Sequence, residues 1–163
     1  MNRVLSITLI VALFIITACG GGGGQSKIDQ IKEQSKIEPA NSESNVPASE
    51  RITLDNKGVG RIKNVTLSET IDQEMVERGL ALFNTNCSAC HKIDKRFIGP
   101  SPKGIMSRRS PEWIMNMILD PQLMVEQDRC AKDLLVEFNG AAMANQNMTE
   151  EQARDILEYF RTL

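Results

Sequence analysis

The feature that most constrains this chain is the pentapeptide CSACH at residues 87–91. Two residues separate the thiols of Cys87 and Cys90, and His91, the single histidine of the 163 residues, follows at once. A Cys-x-x-Cys pair can be a redox dithiol, half of a zinc site or the attachment point of a haem. The histidine favours haem, because both thiols can bond to the porphyrin while the adjacent imidazole becomes an axial ligand of the iron.

The zinc and dithiol alternatives suit this sequence less well. Zinc needs four ligands, and among further thiols and imidazoles the chain beyond residue 50 offers only Cys130. Cys90 and His91 are chain neighbours and do not converge easily on one tetrahedral ion. A thioredoxin-like dithiol would lie beside a strand-helix-strand pattern, whereas the sequence around CSACH is typical of helix and loop. Haem attachment is therefore the leading interpretation.

The N-terminus has the pattern of a secretory signal, which suits a compartment where haem is attached. Arg3 supplies a positive charge, and residues 4–18 form a mostly apolar run. That run is too short to span a bilayer, which needs about twenty residues. The sequence ITAC at 16–19 is similar to a bacterial lipobox. Residues 1–18 are thus predicted to be a lipoprotein signal peptide and Cys19 the lipid-bearing N-terminus of a periplasmic, membrane-anchored protein. An ordinary signal peptide with an accidental cysteine is the alternative.

Composition divides the rest of the chain. Residues 19–50 contain a run of glycines followed by many Ser, Pro, Glu and Lys, so they cannot bury enough surface to offset the entropy of ordering. We predict that they are a flexible, lipid-anchored linker. Residues 51–66 carry two glycines in a weak alternating pattern and are predicted to be an extended arm, with a short hairpin as the alternative. Residues 67–163 have the size of one small domain.

Helical patterns mark both ends of this domain. The Thr70-x-x-Gln73 and Thr149-x-x-Gln152 spacings are typical of capping boxes that begin a first and a last helix. Gly79 within the first helix costs about 1 kcal/mol relative to alanine, which suggests a close approach by another backbone. We expect that backbone to be the last helix.

Two further helices are predicted between these ends. Ser110 and Pro111 are typical of a helix start, and this helix is predicted to stop at Asp120-Pro121. A second short helix is predicted near 128–138. Because no convincing buried strand follows the arm, the fold class is predicted to be all-α. The few aromatic residues fit a core in which a large flat cofactor takes part.

The iron needs a second axial ligand. Since the chain has no second histidine, methionine is the leading candidate. Met148 directly precedes the Thr149 cap, where an apolar residue commonly packs back against its helix. Met143 lies in the irregular segment NGAAMANQ and is predicted to be the ligand. In the alternative, Met143 only shields the haem edge and leaves the iron five-coordinate.

Charge and the remaining thiol add two expectations. A formal net charge of −2 argues against a nucleic-acid binder. The segment between His91 and Ser110 is basic, and this rim is predicted to steer an acidic redox partner, to hold haem propionates, or both. Its cations are Lys92, Lys95, Arg96, Lys103, Arg108 and Arg109.

Cys130 adjoins the apolar face of a predicted helix, so a buried core thiol is favoured over a redox-active or intermolecular one.

Together, residues 67–163 resemble the class I monohaem cytochrome c family. The resemblance rests on GLALF before CSACH, IGPSPKG after it and GAAMANQNMTEEQARDILEYFRTL at the end. It implies a small helical domain around one covalently attached haem c. Two residues depart from the family pattern: Pro102 replaces an apolar residue, and Ala144 replaces the proline that commonly follows the ligand methionine.

The resemblance also implies roles for individual residues. The carbonyl of Pro100 is expected to accept a hydrogen bond from the second nitrogen of His91, which fixes the ring and its tautomer. Trp113, with Arg108 or Arg109, is expected to hold the haem propionates.

Ligation by His91 and Met143 leaves no position for a substrate, so we predict a membrane-tethered, single-haem electron carrier and not an enzyme. Residues 110–163 also resemble small lipid-anchored cytochromes that accompany anaerobic respiratory reductases. This implies a quinol-oxidising complex as donor and a periplasmic reductase, such as nitrous oxide reductase, or a terminal oxidase as acceptor. A monomer is expected. The alternatives are an open-coordination haem that acts as a peroxidase or gas sensor, and a fixed haem subunit of a reductase complex.

Overall fold

The computed structural model describes residues 45–163, and their secondary structure is helical. No strand forms within them, since their extended pairings are isolated bridges, and the predicted all-α fold is confirmed. The helices are α1 (Gln73–Asn86), α2 (Pro111–Leu119), α3 (Pro121–Gln127), α4 (Arg129–Glu137) and α5 (Glu150–Phe160), with a 3-10 turn at Ile105–Ser107. None of these helices is long and apolar enough to cross a membrane. The predicted signal peptide, Cys19 and the linker up to residue 44 lie outside the described residues.

Helix α1 begins at a carboxylate cap. The side chain of Asp72 accepts hydrogen bonds from the backbone N–H groups of Glu74 and Met75 at 3.0 and 3.1 Å. The capping box predicted at Thr70 was wrong, because Asp72 lies nearer to the first free N–H groups and takes that role.

The starts of α2 and α5 follow the sequence signals. Ser110 Oγ accepts a hydrogen bond from the N–H of Trp113 at 3.1 Å, ahead of a proline at the first helical position. Thr149 and Gln152 form hydrogen bonds in both directions, so the predicted capping box of α5 is confirmed.

Helix α3 was not predicted from the sequence. Asp120 ends α2, and its carboxylate accepts a hydrogen bond from the N–H of Leu123 at 3.0 Å, so that a new helix begins at Pro121. Proline suits this first position because the N–H that it lacks would have no helical partner there. Met124 then anchors α3 in the core, fully buried. The Asp-Pro pair therefore ends one helix and begins the next.

The contact between α1 and α5 is built around Gly79. A Cβ at this position would lie 2.1 Å from the carbonyl oxygen of Asp155, so the two backbones can approach this closely only at a glycine. Phe83 packs nearby against the rings of Tyr159 and Phe160, with centroids 5.8 and 5.9 Å away. The expected packing of the first helix on the last is confirmed.

Residues 45–66 fold against the helices as an ordered segment. The Asn116 side chain donates to the carbonyl oxygens of Ile62 and Lys57 at 2.9 and 3.1 Å, and it accepts from the N–H of Ile62 at 3.0 Å. Ala48 is only 3% exposed. Tertiary contacts thus begin before the predicted arm, inside the last residues assigned to the linker.

Candidate functional site

One cavity brings together the predicted haem residues of the described chain. They are Cys87, Cys90, His91, Pro100, Arg108, Trp113 and Met143. Much of the remaining wall is apolar and comes from α1, α2, α4 and α5, through Phe83, Ile118, Leu134 and Phe160. Such a space suits a large, mainly apolar ligand with a few polar contacts.

The two thiols lie in a turn that directly follows α1. The N–H groups of Cys90 and His91 donate to the carbonyl oxygen of Cys87 at 3.0 and 2.9 Å. Further on, the N–H of Gly99 donates to the carbonyl oxygen of Cys90 at 2.9 Å. We name residues 87–100 the attachment loop. Backbone hydrogen bonds within the loop itself hold its shape.

A backbone carbonyl orients His91. Its Nδ1 lies 2.8 Å from the carbonyl oxygen of Pro100, and an Nδ1–H donated there leaves Nε2 as the metal-binding nitrogen. A Cβ at Gly99 would lie 2.5 Å from Cε1 of the ring, so the chain can pass beside the imidazole only at a glycine. The family resemblance implied the contact with Pro100, whereas the steric role of Gly99 required the structure.

The three described cysteines form no disulfide. Burial, and to a smaller degree the neighbouring Cys90, raises the pKa of the Cys87 thiol to about 11, so the unattached thiol is neutral at physiological pH. Cys130 is 7% exposed, and its Sγ lies 3.9 Å from Thr53 Oγ1. Burial also raises the pKa of Cys130. It packs in the core outside the cavity lining, as the core-thiol interpretation expects.

Met143 lies on a loop with few hydrogen bonds. We name residues 139–147 the methionine loop. Asn139 and Asn147, at its two ends, have φ angles of 57° and 53°, in a region that few residues other than glycine adopt. In the described part of the chain, no hydrogen bond joins residues 142–146 to another element. Met143 is half-buried and lines the cavity.

Met148, the other candidate ligand, lies in a different environment. It is 8% exposed and belongs to the same core cluster as Ala153, and it does not line the cavity. The two methionines therefore divide as the sequence pattern suggested, one at the cavity and one in the core.

Arg109 is the deeply buried cation of the basic rim, with 2% of its surface exposed. Its Nη1 and Nη2 donate to the carbonyl oxygens of Arg51 and Ala48, while its Nε has no partner. The side chain of the neighbouring Arg108 donates to the carbonyl oxygens of Lys103 and Ser101. Burial, and then the charge of Arg109, lowers the pKa of Arg108.

Trp113 lines the cavity, but its N–H is already used within the protein. The indole Nε1 donates to Asp128 Oδ1 at 3.0 Å. Asp128 is 6% exposed and also accepts hydrogen bonds from Asn56 Nδ2 and from the N–H of Ala131, each at 2.8 Å. Asp128 was not predicted to support the site, because its partners come from separate segments and leave no local pattern.

The lining fits a covalently attached haem better than a zinc ion. Two thiols, an imidazole and a thioether are the groups that attach haem c and ligate its iron. The buried guanidinium of Arg109 keeps one N–H for an anionic oxygen, such as that of a propionate. Within residues 45–163, no three or more His, Cys, Asp or Glu side chains converge as a metal site.

Comparisons with known proteins agree with this geometry. A model of the family described as Cytochrome c matches residues 76–163. Cytochrome c from Rhodothermus marinus is similar in structure, with a TM-score of 0.62 and 40% identity over 71% of this chain and 92% of that one. The engineered variant of that protein, Rma TDE, has the same TM-score and identity over 71% of this chain and 93% of its own.

A curated relative is similar over a shorter stretch. The protein described as Cytochrome c-553-like from Synechocystis sp. is 40% identical over 47 residues, which are 28% of this chain and 45% of that relative. The matched stretch thus spans less than half of that relative's length. From the family match and the structural similarity, we conclude that the chain belongs to the cytochrome c family and that its cofactor is a covalently bound haem c.

Proposed function

We propose that this cytochrome c is a membrane-tethered carrier of single electrons, with His91 and Met143 as axial ligands. Bound haem c supplies a one-electron iron couple. One observation carries the proposal: His91 and Met143 line the same cavity as Cys87 and Cys90. Two protein ligands leave no coordination position for a substrate, which favours an electron carrier over an enzyme.

The attachment loop holds the cofactor on the histidine side. Cys87 and Cys90 bond to haem through thioethers, and His91 provides Nε2. The hydrogen bond between Nδ1 of His91 and the carbonyl oxygen of Pro100 supports this role, because it fixes both the ring and the tautomer. Gly99 leaves room for the imidazole.

Met143 supplies the second axial ligand. A thioether raises the reduction potential of haem iron relative to a second imidazole. The choice of Met143 over Met148 is supported by the burial of Met148 in the core, away from the cavity lining.

Arg108 and Arg109 hold the propionates. The unpartnered Nε of Arg109 supports this assignment, because a buried N–H without an acceptor is costly. Trp113 contributes mainly to the apolar wall, since its N–H is donated to Asp128.

Lipid on Cys19 and the part of the predicted linker that precedes the buried Ala48 keep the carrier in the periplasm at a membrane surface. A tether raises the effective concentration of the domain near membrane partners. A quinol-oxidising complex as donor, and a periplasmic reductase such as nitrous oxide reductase or a terminal oxidase as acceptor, suit a carrier in that place. We expect a monomer that binds no nucleic acid.

Docking of an acidic redox partner is supported by the surface beside the cavity. Phe97 and Ile98 are each 49% exposed, and Ile98 also lines the cavity. The Lys92 ammonium lies 5.2 Å from the centre of the Phe97 ring. Arg96 is less available for a partner, because it pairs with Glu137 at 2.8 Å. Exposed apolar groups with lysine nearby suit brief, electrostatically steered encounters.

A second candidate function is an open haem that handles peroxide or a small gas. It is favoured by the lack of hydrogen bonds from residues 142–146 to other elements, which makes Met143 the less firmly placed ligand.

Carbon monoxide binding separates the two functions. The full chain, produced with a haem-attachment system and kept in detergent, is reduced and exposed to carbon monoxide. The proposed carrier should show an unchanged ferrous spectrum and a reversible one-electron titration. Carbon monoxide binding by the unmutated protein would favour the open haem instead. Cys19→Ala should release the protein into the soluble fraction with the same titration, which tests the tether separately.

A further inference from the structure

The strap, which we define as residues 47–53, forms part of the cavity wall. Ser49 lines the cavity together with Arg109, and Ala48 is 3% exposed. The family match covers only residues 76–163, so the strap lies outside it.

Arg109 joins the strap to the cavity. Its terminal nitrogens donate to the carbonyl oxygens of Arg51 and Ala48, which lie 58 and 61 positions earlier in the chain. A buried guanidinium is costly unless it is paired, and none of the ion pairs among the described residues includes Arg109. The strap carbonyls therefore satisfy part of this buried cation, and its Nε has a hydrogen bond left to donate.

Two residues of the strap, Ser49 and Arg51, anchor it to α4. Ser49 Oγ donates to Glu137 Oε1 at 2.7 Å, and its N–H donates to Oε2 at 2.8 Å. Arg51 pairs with Asp133 at 2.5 Å. Neither the Ser49 hydroxyl bond nor the Arg51–Asp133 pair includes Arg109, so both can be removed by substitution without altering the charge of Arg109, while the bond from the Ser49 N–H to Glu137 stays.

We propose that the strap sets the reduction potential of the haem and that Arg109 is the positioning residue that couples the two. The inference rests on the proposed function, since it needs a haem in this cavity. The docked strap excludes water from the side of the haem next to Arg109, and it holds the positive charge of Arg109 beside the cofactor. Both effects disfavour the extra positive charge of oxidised iron and so raise the potential. Loosening the strap lowers the potential.

The test uses a strap variant of the haem-loaded full chain that leaves the net charge unchanged: Ser49→Ala, Arg51→Gln and Asp133→Asn together. At the wild-type midpoint potential, the ratio of oxidised to reduced protein should rise about threefold in this variant. Arg109→Gln should raise it about tenfold, which equals 59 mV for one electron. Arg109→Lys keeps the charge but does not span both carbonyl oxygens, so its ratio should lie between those of the wild type and Arg109→Gln.

A matched control removes an exposed ion pair elsewhere. Arg61 and Glu150 pair at 3.1 Å with side chains 57% and 56% exposed, and Arg61→Gln with Glu150→Gln should leave the ratio at the wild-type value. When the strap variant is combined with Arg109→Gln, the oxidised-to-reduced ratio should rise by less than the product of the two separate changes. Both changes act through the contact between Arg109 and the strap carbonyl oxygens, so they are not independent.

A wild-type ratio in the strap variant, with haem still attached, would overturn the inference and leave the proposed carrier intact. The inference would also be overturned if the change in the oxidised-to-reduced ratio of the combined variant equalled the product of the two separate changes. Failure of the proposed function has a different signature, namely colourless protein or carbon monoxide binding by the wild type. If Arg109→Gln does not fold, the strap variant and its control still decide the matter.

Discussion

The attachment loop and the methionine loop supply the two proposed iron ligands, but different contacts hold them. In the attachment loop, residues 87–100, four backbone N–H groups donate to carbonyl oxygens of the loop itself. In the methionine loop, residues 139–147, the stretch 142–146 has no backbone–backbone hydrogen bond and no hydrogen bond to another element of the described structure. Local backbone geometry therefore positions His91, whereas the position of Met143 depends on the ends of its loop.

Those ends are well fixed. The N–H of Gly140 donates to the carbonyl oxygen of Leu135 at 2.8 Å, just after α4. Met148 is 8% exposed immediately before the Thr149 cap of α5. A loop fixed at both ends can bring Met143 to the cavity without backbone–backbone hydrogen bonds at residues 142–146, and it opens at lower free energy than a loop that has them. Changes in the attachment loop should thus disturb assembly, and changes in the methionine loop should mainly disturb ligation.

Removing Met143 should have the largest effect. In Met143→Ala the ferrous protein should bind carbon monoxide to completion, because the proposed sulfur ligand is gone. Met148→Ala, the matched control, should lower the free energy of unfolding by about 2 kcal/mol or more without carbon monoxide binding, since it leaves a core cavity. Spectral titration and urea unfolding measure the two effects. If Met148→Ala bound carbon monoxide and Met143→Ala did not, Met148 would be the iron ligand and the assignment of Met143 would be wrong.

A glycine in each loop provides the second test. The Cβ of Gly99→Ala would lie 2.5 Å from Cε1 of His91, and such overpacking costs about 1–3 kcal/mol and should alter the ferric spectrum. At Gly140 no atom lies within 4 Å of the added Cβ, and only its φ of 78° opposes alanine, at roughly 1–2 kcal/mol with an unchanged spectrum. If both variants left the spectrum unchanged, the attachment loop would be no stiffer than the methionine loop.

Ala144→Pro should make the two loops more alike. Proline restricts the backbone and typically stabilises by roughly 0.4–1 kcal/mol where its geometry is allowed. No hydrogen bond from the Ala144 N–H is present in the described structure, so none is lost. Imidazole binding to the ferric protein, followed by stopped flow, should slow by about two- to fivefold. An unchanged rate would show that freedom of the methionine loop does not limit ligand exchange.

The smallest expected effect concerns Glu158, in the α1–α5 scaffold that both loops share. Burial alone would raise its pKa, but hydrogen bonds from Arg154 and from the N–H of Asp72, with the charges of Arg154 and Arg161, outweigh burial and lower it. Unfolded glutamate has a pKa of about 4.3. The stabilisation is therefore complete above that pH and is lost as the pH falls through the lower folded pKa.

Urea unfolding at neutral pH and near pH 3 measures this contribution. Glu158→Gln should lose less stability between the two conditions than the wild type does. Glu151→Gln, at an exposed position of the same helix, should behave as the wild type. Equal losses in all three proteins would assign the acid sensitivity to other carboxylates.

The features that the sequence predicted correctly depend on short stretches of chain. The Thr149 capping box, the helix start at Ser110 and the helix crossing at Gly79 each follow from the chemistry of neighbouring residues. CSACH likewise carries its cofactor chemistry within five positions. These local signals were enough for the fold class and for the haem c cofactor.

The features that were missed depend on contacts between distant segments. Asp128 accepts hydrogen bonds from Trp113, 15 positions earlier, and from Asn56, 72 positions earlier. The strap reaches the cavity through Arg109 in the same way. Helix α3 was missed for another reason: Asp120-Pro121 is as suitable for starting a helix as for stopping one.

Intact-mass analysis of the unfolded protein most directly tests the central claim that haem c is bonded to Cys87 and Cys90. The full chain, produced with a haem-attachment system, is denatured beside the Cys87→Ala/Cys90→Ala variant and treated with a thiol-alkylating reagent. We predict that the unfolded wild type keeps its colour and the added mass of one haem, with neither residue alkylated, and that the variant keeps no haem. Colourless wild-type protein with both cysteines alkylated would contradict the account.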